Sequence, residues 1–332
     1  MKLNSAFKAF GVIGSVAIIM IYFQNCGPMD ASQLKTLSEI SSQTSDTSGS
    51  DEADNSTDET PSGSTQAPKG VQFFDSFETA SLEHTNIHGF RWGGTNRTSI
   101  VSSSAGVYTK GESINTPKPE GRNWNAYAGE HSMRFRYPEG EAWAEQRYEM
   151  GTAYPEVWIS YWVRVPENYT HGPIGSPRNQ KWNAVWTDDY SQHGDGPTEV
   201  FNMRPDGSGG GSASTVSIVK ATNMNSAHRE SYPGFIKVPE DRGRWMHNVF
   251  YLKIASSPTA DDGQVKWWRR WQGDDSFTTL ANMESVGLWP NSGPQGFSAG
   301  YIMGWANGAY AEDTEFLIDN FTISTESLLI ID

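Results

Sequence analysis

The stretch Trp158-Ile159-Ser160-Tyr161-Trp162-Val163-Arg164-Val165 alternates between two sets of side chains. Successive side chains of an extended strand point to opposite faces, so this alternation predicts a β-strand with one apolar face and one mixed face. The set that suits a core is Ile159, Tyr161, Val163 and Val165. The opposite set is Trp158, Ser160, Trp162 and Arg164, and tryptophan on an exposed face would need a reason.

Similar short runs recur from Val71 onward between clusters of Gly, Pro, Asn and Asp, and none sustains a helical period. The predicted strands are 132–137, 144–150, 157–165, 183–186, 215–219, 247–254, 265–271, 301–305 and 316–323. Many short strands separated by turns, without an internal repeat, predict an all-β fold. We expect a two-sheet antiparallel β-sandwich of the jelly-roll type.

Composition excludes several classes of protein. The chain has 332 residues, of which 36% are hydrophobic and 12% aromatic, enough for a substantial core. Its formal net charge of -14 repels nucleic acid, so we expect no nucleic-acid partner. The single cysteine, Cys26, excludes an intrachain disulfide framework and a multi-cysteine metal site.

The first 25 residues are predicted to be a signal peptide. Lys2 and Lys8 precede an apolar run that is short for a membrane span, and Cys26 follows it. This order resembles a bacterial lipoprotein signal, although Phe23-Gln24-Asn25 before the cysteine is bulkier than the usual lipobox. The resemblance implies lipidation of Cys26 with palmitate and an outer-membrane lipoprotein facing the periplasm or the cell surface. The alternative is an uncleaved amino-terminal anchor.

Two regions follow the signal. Residues 26–69 are rich in Ser, Thr, Asp and Glu with hardly an aromatic, so they cannot offset the entropy of ordering and are predicted to form a disordered tether. Residues 70–332 are predicted to form the β-sandwich domain. We expect this domain to be monomeric.

Two further strands continue the pattern of two faces. In 132–137 the apolar set is Met133, Phe135 and Tyr137, which leaves Arg134 and Arg136 on the other face. In 143–150, Ala144, Gln146, Tyr148 and Met150 would point inward, and Trp143, Glu145, Arg147 and Glu149 outward. If these strands and 157–165 share one sheet, its outer face presents tryptophans between arginines and carboxylates. That face is either a sugar-binding groove or ordinary packing under covering loops.

The order of several segments resembles that of concanavalin A-like lectin/glucanase domains, in particular polysaccharide lyase-like members. The segments are Phe73-Phe74-Asp75-Ser76-Phe77-Glu78, Glu145-Gln146-Arg147, Val157 to Tyr169, and Leu317-Ile318-Asp319-Asn320-Phe321. The resemblance covers nearly all of 71–331. It implies a polysaccharide partner and, for an anionic, uronate-containing glycan, cleavage by β-elimination. A non-catalytic cell-surface adhesion or envelope-binding module is the alternative.

A lyase of this fold must neutralise a uronate carboxylate and move two protons. The resemblance implies Arg147 or Gln146, supported by Asn183, for the carboxylate. It implies His247, Tyr251 or Tyr301 for proton transfer. The substrate-binding residues would be Arg134, Arg136, Trp158, Trp162, Arg164 and Asn183. The strand Glu145-x-Arg147-x-Glu149 differs from the Arg-x-Glu-x-Arg strand of alginate lyases of this fold.

The same strand allows a retaining glycoside hydrolase. Laminarinase-like hydrolases carry Glu-x-Asp-x-Glu, whose two glutamates act as nucleophile and acid/base. Glu145 and Glu149 have that spacing, but Arg147 replaces the central aspartate and favours a structural ladder of ion pairs.

No cofactor is required by either reaction. In similar folds a structural calcium ion often bridges the termini, which implies Asp75, Glu78 and Asp319 as ligands. Two loop and strand clusters are ambiguous. Asp188 to Asp195 suits a turn better than a metal site. The cluster from Lys266 to Trp271 would either contact an anionic glycan or contribute half of its residues to the core.

Overall fold

The structure is a computed structural model that describes residues 70–172, 179–188, 190, 197–205, 211–220, 229–290 and 292–330. The predicted signal peptide, Cys26 and the predicted tether lie outside these residues. Every regular element within the described ranges is a β-strand. Over the same ranges, no helix is long and apolar enough to cross a membrane.

The described residues form strands β1 (Val71–Asp75), β2 (Arg91–Asn96), β3 (Thr98–Ser102), β4 (Ala105–Thr109), β5 (Glu112–Pro117), β6 (His131–Tyr137), β7 (Trp143–Tyr154), β8 (Glu156–Arg164), β9 (Gln180–Trp186), β10 (Pro197–Pro205), β11 (Ser212–Lys220), β12 (Arg229–Pro233), β13 (Trp245–Lys253), β14 (Gly263–Trp271), β15 (Thr278–Val286), β16 (Phe297–Trp305) and β17 (Thr314–Ser324). Each predicted strand is present, with ends displaced by at most four residues. The strands that were not predicted include β2 to β5, whose runs are short or rich in glycine and polar residues.

The strands form two antiparallel sheets. Sheet A has the order β15-β14-β13-β8-β17-β6-β3-β4-β5, with β1 also paired to β17. Sheet B has the order β12-β11-β10-β9-β16-β7-β2. This arrangement confirms the predicted all-β, two-sheet sandwich.

One continuous core lies between the sheets. It contains the apolar sets predicted for β8 and β6, and three of the four inward residues predicted for β7, namely Ala144, Tyr148 and Met150. Gln146, the fourth, is fully buried on the same face. Each large apolar side chain that leaves water contributes about 1.5–3 kcal/mol, so these alternating faces supply much of the free energy of folding.

An aromatic cluster fixes the first strand to the last. Phe73 stacks on Phe90 at 3.4 Å, and Trp92 lies 4.9 Å from Phe321 between ring centroids. The Trp92 Nε1 group donates a 2.8 Å hydrogen bond to Asp75, whose carboxylate is buried in this cluster. Burial raises the pKa of Asp75 despite this bond.

Two local features of strand β16 determine where its side chains point. A side chain at Gly300 would overlap the Tyr148 hydroxyl, so only glycine allows β16 to pack this closely on the core. Met303 has a φ of 62°, in the left-handed region, and its side chain is in the core. Tyr301 and Trp305, on either side of Met303, project from the other face of the sheet.

The three strands with mixed faces do not share one sheet. Strands β6 and β8 belong to sheet A, whereas β7 belongs to sheet B. Their polar faces therefore point away from the core in opposite directions. The expected single groove, with Arg147 beside Trp158 and Trp162, is wrong because alternation along a strand does not specify its neighbours.

Candidate functional site

Arg147 lies on the outer face of sheet B. Its Nε atom donates a 2.7 Å hydrogen bond to Glu145 Oε1, and its side chain is 26% exposed. The ring centroids of Tyr190 and Trp186 lie 5.6 Å and 6.0 Å from its Cζ atom. Burial alone would lower the pKa of Arg147, but the adjacent Glu145 carboxylate outweighs burial and raises it. Arg147 is therefore a permanent cation among aromatic rings.

The guanidinium of Arg147 keeps donors for a ligand. Its bond to Glu145 uses Nε, and within the described residues neither Nη atom makes a hydrogen bond to the protein. A guanidinium fork matches the two oxygens of a carboxylate. Arg147 can thus bind a carboxylate through its Nη atoms while Glu145 holds the side chain in place.

Two tyrosine hydroxyl groups lie beside this cation. Tyr301 is opposite Arg147 in the β16–β7 register, and its hydroxyl is 3.2 Å from that of Tyr190. Tyr190 and Tyr301 meet edge to face at 5.1 Å, and Trp186 is 6.0 Å from Tyr301. A hydroxyl can both donate and accept, so this pair can share or transfer a proton next to a bound anion.

A stacked pair of tryptophans continues the same face. Trp143 and Trp305 are opposite each other in register, with ring centroids 5.7 Å apart and planes within 5°. Trp143 Nε1 donates a 3.3 Å hydrogen bond to Glu145 Oε2, which ties the pair to the arginine. Both indoles are half-buried. We call this set the Arg147 face; it comprises Trp143, Glu145, Arg147, Trp186, Tyr190, Tyr301 and Trp305.

The two glutamates of the hydrolase hypothesis each pair with a separate arginine. Glu145 pairs with Arg147, and Glu149 pairs with Arg91 of β2 through a 2.9 Å bond from Nε. Both carboxylates are thus acceptors from guanidinium groups. The structure supplies the ladder of ion pairs that the sequence favoured, rather than two carboxyl groups free for acid and nucleophile roles.

The residues named for the lyase hypothesis are not brought together. Gln146 is buried on the core side of β7, where it accepts hydrogen bonds from Thr95 and Thr98. Asn183 is also on the core side and accepts a 3.3 Å hydrogen bond from the Tyr148 hydroxyl. Of the predicted residues for this reaction, Arg147 and Tyr301 share the Arg147 face.

The other two, His247 and Tyr251, lie on the outer face of sheet A. Burial and the nearby Arg270 lower the pKa of His247 to about 3, so its ring is neutral. Burial raises the pKa of Tyr251, whose hydroxyl donates to Glu156 at 2.9 Å. Neither residue can act on a ligand held by Arg147, because the core separates them from it.

The three predicted substrate-binding arginines of sheet A already have partners. Arg134 and Arg136 pair with Glu315 and Asp313, at 3.5 Å and 2.7 Å. Arg164 donates to Glu167, to the Asn123 carbonyl at 2.9 Å and to the Gly243 carbonyl at 3.1 Å. The Arg134–Glu315 pair joins strands β6 and β17, and the contacts of Arg136 and Arg164 hold adjacent loops against the sheet. All three arginines therefore have a structural role.

Trp162 is covered, and Trp158 is not. Tyr127 stacks on Trp162 at 3.8 Å, and Trp124 and Trp245 complete a second apolar cluster around it. Trp162 is 3% exposed, so a ligand cannot stack on it. The packing alternative considered above therefore holds for Trp162, whereas Trp158 remains half-buried.

The three carboxylates considered for calcium are engaged by N–H donors. Asp75 accepts from Phe77 N and Trp92 Nε1, and Glu78 from the amides of residues 130 and 131. Asp319 accepts from the amides of residues 127, 128 and 320, and burial raises its pKa to about 7. Across the described residues no cluster of three or more His, Cys, Asp or Glu side chains is arranged to hold a metal ion. Within the described residues the three carboxylates are therefore engaged by protein N–H donors and are not gathered into one such cluster.

Sequence reasoning missed Trp186, Tyr190 and the Trp143–Trp305 stack. Strand β9 has one extra residue, Trp182, where it pairs with β10, so Trp182 faces the core while Ala184 and Trp186 face outward. Simple alternation along β9 would place all three on one face. Tyr190 follows β9 in a segment whose composition indicates only a turn.

The fold and this face define a two-sheet β-sandwich with an aromatic, arginine-centred outer face. No protein-family model and no curated protein sequence matches the chain. Among solved structures, it is similar to the PL-14 alginate lyase from Aplysia kurodai, with 13% identity, a TM-score of 0.44, and coverage of 60% of this chain and 85% of that one. It is also similar to alginate lyase vAL-1 from Chlorella virus, at 10% identity, a TM-score of 0.44, and coverage of 72% and 95%. The Ca2+-bound VIP36 exoplasmic/lumenal domain has 9% identity, a TM-score of 0.38, and coverage of 76% and 91%. No residue role is transferred from proteins this distant.

Proposed function

We propose that this protein binds polysaccharide on the Arg147 face and holds an acidic sugar against Arg147. The observation that carries the proposal is the guanidinium flanked by Tyr190 and Trp186, whose two Nη groups make no hydrogen bond to any described residue. A uronate carboxylate would accept hydrogen bonds from the fork. The surrounding rings exclude water, which strengthens that charge-assisted contact.

The Trp143–Trp305 pair extends the site beyond a single sugar. Trp143 and Arg147 are four residues apart on β7, a separation of about 13 Å along a strand. The apolar faces of pyranose rings pack on flat indoles, so the stacked pair would hold a neighbouring unit of the chain. This length favours an oligosaccharide segment over a lone monosaccharide.

Binding is tested by calorimetric titration of the full chain with acidic and neutral hexasaccharides. Arg147→Ala is expected to weaken the binding of acidic hexasaccharides by about tenfold or more, since charged hydrogen bonds contribute about 1.5–3 kcal/mol. Arg136→Ala is the matched control, because Arg136 is a part-exposed, ion-paired arginine on sheet A. If Arg136→Ala lost binding while Arg147→Ala kept it, the site would lie on sheet A and the proposal would be refuted.

A second candidate function is cleavage of the bound glycan by β-elimination. The hydroxyl pair of Tyr190 and Tyr301, 3.2 Å apart beside Arg147, favours it. With the uronate carboxylate neutralised by Arg147, an ionised tyrosine would take the proton from the adjacent carbon. A tyrosine hydroxyl would then protonate the leaving glycosidic oxygen, leaving a carbon–carbon double bond in the product.

The unsaturated product absorbs ultraviolet light, which gives a direct assay on a panel of uronate-containing glycans. Tyr301→Phe removes one hydroxyl and keeps the ring, so we expect it to abolish product formation while binding remains. If the unaltered chain binds acidic glycans but yields no unsaturated product with any of them, the protein is a binding or adhesion module.

We also propose that the protein is exported and tethered to a membrane by lipid on Cys26. The support is the order of signal-like residues before the single cysteine and the polar segment after it. Metabolic labelling with a palmitate analogue should mark the intact chain and not Cys26→Ser. Equal labelling of both would remove the lipid anchor from this proposal.

A further inference from the structure

The outer face of sheet A carries an aromatic group that the proposed function does not use. Trp158 on β8 and Trp268 on β14 lie on either side of β13 and stack, with ring centroids 5.5 Å apart and planes within 13°. Tyr251 on β13 lies 4.6 Å from Trp158. Val249 also faces outward but is fully buried. We call Trp158, Tyr251 and Trp268 the outer aromatic group.

A cavity of about 300 Å³ adjoins this group. Its lining includes Glu156, Lys253, Trp289 and Gln295. Glu156 connects the two features, because its carboxylate accepts a 2.9 Å hydrogen bond from the Tyr251 hydroxyl. Lys253 is opposite Glu156 in the β13–β8 register. The volume is at the lower end of the range for small-ligand sites, which runs from about 300 to about 1,000 Å³.

The charges around this surface balance. Lys266 Nζ lies 2.7 Å from Glu284 Oε1 and 5.9 Å from the Tyr251 ring centroid. Lys253 and Glu156 form the second pair of opposite charges. Two lysines face two glutamates, so this surface lacks the unbalanced cation that a carboxylate ligand would need.

We propose that the cavity and the outer aromatic group form a second carbohydrate site, which takes neutral pyranose oligosaccharides. A pyranose ring has apolar C–H faces and an edge of hydroxyl groups. The indoles and Trp289 supply flat surfaces for the faces, and Glu156, Lys253 and Gln295 supply acceptors and donors for the hydroxyls. This site stands independently of the Arg147 face, from which the core separates it.

The test is calorimetric titration of the full chain with cellohexaose, mannohexaose and laminarihexaose. Trp268→Ala is expected to weaken binding of the preferred hexasaccharide on the order of tenfold, as truncation of an aromatic anchor does. Gln295→Ala, at an exposed position on the cavity rim, should weaken it by about threefold without a packing defect. Phe74→Ala is the matched control, an aromatic that is 52% exposed on the same sheet face outside the group.

Thermal unfolding of each variant shows whether it is folded. If Trp268→Ala does not fold, the sugar affinity of Gln295→Ala tests the proposed site. The proposal is overturned if no neutral hexasaccharide binds the unaltered chain, or if the Trp268 and Gln295 variants bind like the control. A change in sedimentation of Trp268→Ala without a change in sugar binding would assign the surface to self-association instead. Binding of acidic hexasaccharides should persist in Trp268→Ala and fall in Arg147→Ala. The two proposed sites are therefore tested separately, and one proposal can be refuted without the other.

Discussion

Glu199 makes the stability of this protein depend on pH in a way that one substitution should remove. It lies on β10 opposite Val185 and Ile218, both of which are in the core. Its side chain is fully buried, and neither carboxylate oxygen has a hydrogen-bond partner among the residues that the structure describes. Burial raises the pKa of Glu199 well above its ordinary value of 4.5, because the buried site favours the neutral form of the carboxyl.

The sign of the effect follows from proton linkage. When the folded-state pKa is the higher one, stability is full below pH 4.5 and falls as the pH rises toward the folded-state pKa, because only the unfolded chain releases the proton. The loss is about 1.4 kcal/mol per pH unit for a single group. Above the ordinary pKa of 4.5, the unfolding free energy of the unaltered chain should therefore fall steadily as the pH rises toward the raised folded-state pKa of Glu199.

Glu199→Gln cannot ionise, and urea denaturation at several pH values measures the comparison. The unfolding free energy of the variant minus that of the unaltered chain should rise by about 1.4 kcal/mol per pH unit over this range. Other titrating groups cancel in the difference, as does any constant penalty for the buried amide. Glu120→Gln, at an exposed position, should give a flat difference. A flat difference for Glu199→Gln as well would refute the reasoning and mean that this carboxyl ionises in the folded state.

Three further predictions concern packing and recognition. Trp124→Ala should lower the unfolding free energy by about 3–5 kcal/mol in urea, because Trp124 is buried in the apolar cluster that contains Trp162 and Trp245; a loss below about 1 kcal/mol would mean the loop does not pack there. Gly300→Ala should cost about 1–3 kcal/mol in urea denaturation, because its Cβ atom would overlap the Tyr148 ring and hydroxyl and the Ala184 carbonyl oxygen; an unchanged unfolding free energy would contradict this geometry. Arg147→Lys keeps the positive charge but loses the planar guanidinium with its two Nη groups. The affinity of this variant for acidic hexasaccharides should fall nearly as far as that of Arg147→Ala, and an unchanged affinity would argue against bidentate contact.

The sequence could predict what depends on neighbours along the chain. The alternation in β8 is strict, and the structure places Ile159, Tyr161 and Val163, its predicted inward set, in the core. The assignment of β7 to sheet B depends on pairing with β16, more than a hundred residues away, and no local pattern carries that information. This is why Arg147, Glu145 and Tyr301 were identified from the sequence while Trp186 and Tyr190 were not.

Trp186 and Tyr190, two neighbours of Arg147, could not be recognised from the sequence, for separate reasons. Trp186 faces outward because of an irregularity between β9 and β10, which shifts the phase of alternation. Tyr190 comes from a segment after β9 whose composition resembles an ordinary turn. Trp162 was a reasonable surface candidate by phase, but a loop from another part of the chain covers it with Tyr127.

The two stacked tryptophan pairs lie back to back on the sandwich. Trp143 and Trp305 are on the outside of sheet B, and Trp158 and Trp268 are on the outside of sheet A. Because the two pairs lie on opposite outer faces, they cannot both contact the same flat glycan surface. If both proposed sites bind glycan, one tryptophan pair would contact one glycan chain while the other pair binds a second chain. One molecule would then cross-link two polysaccharide chains.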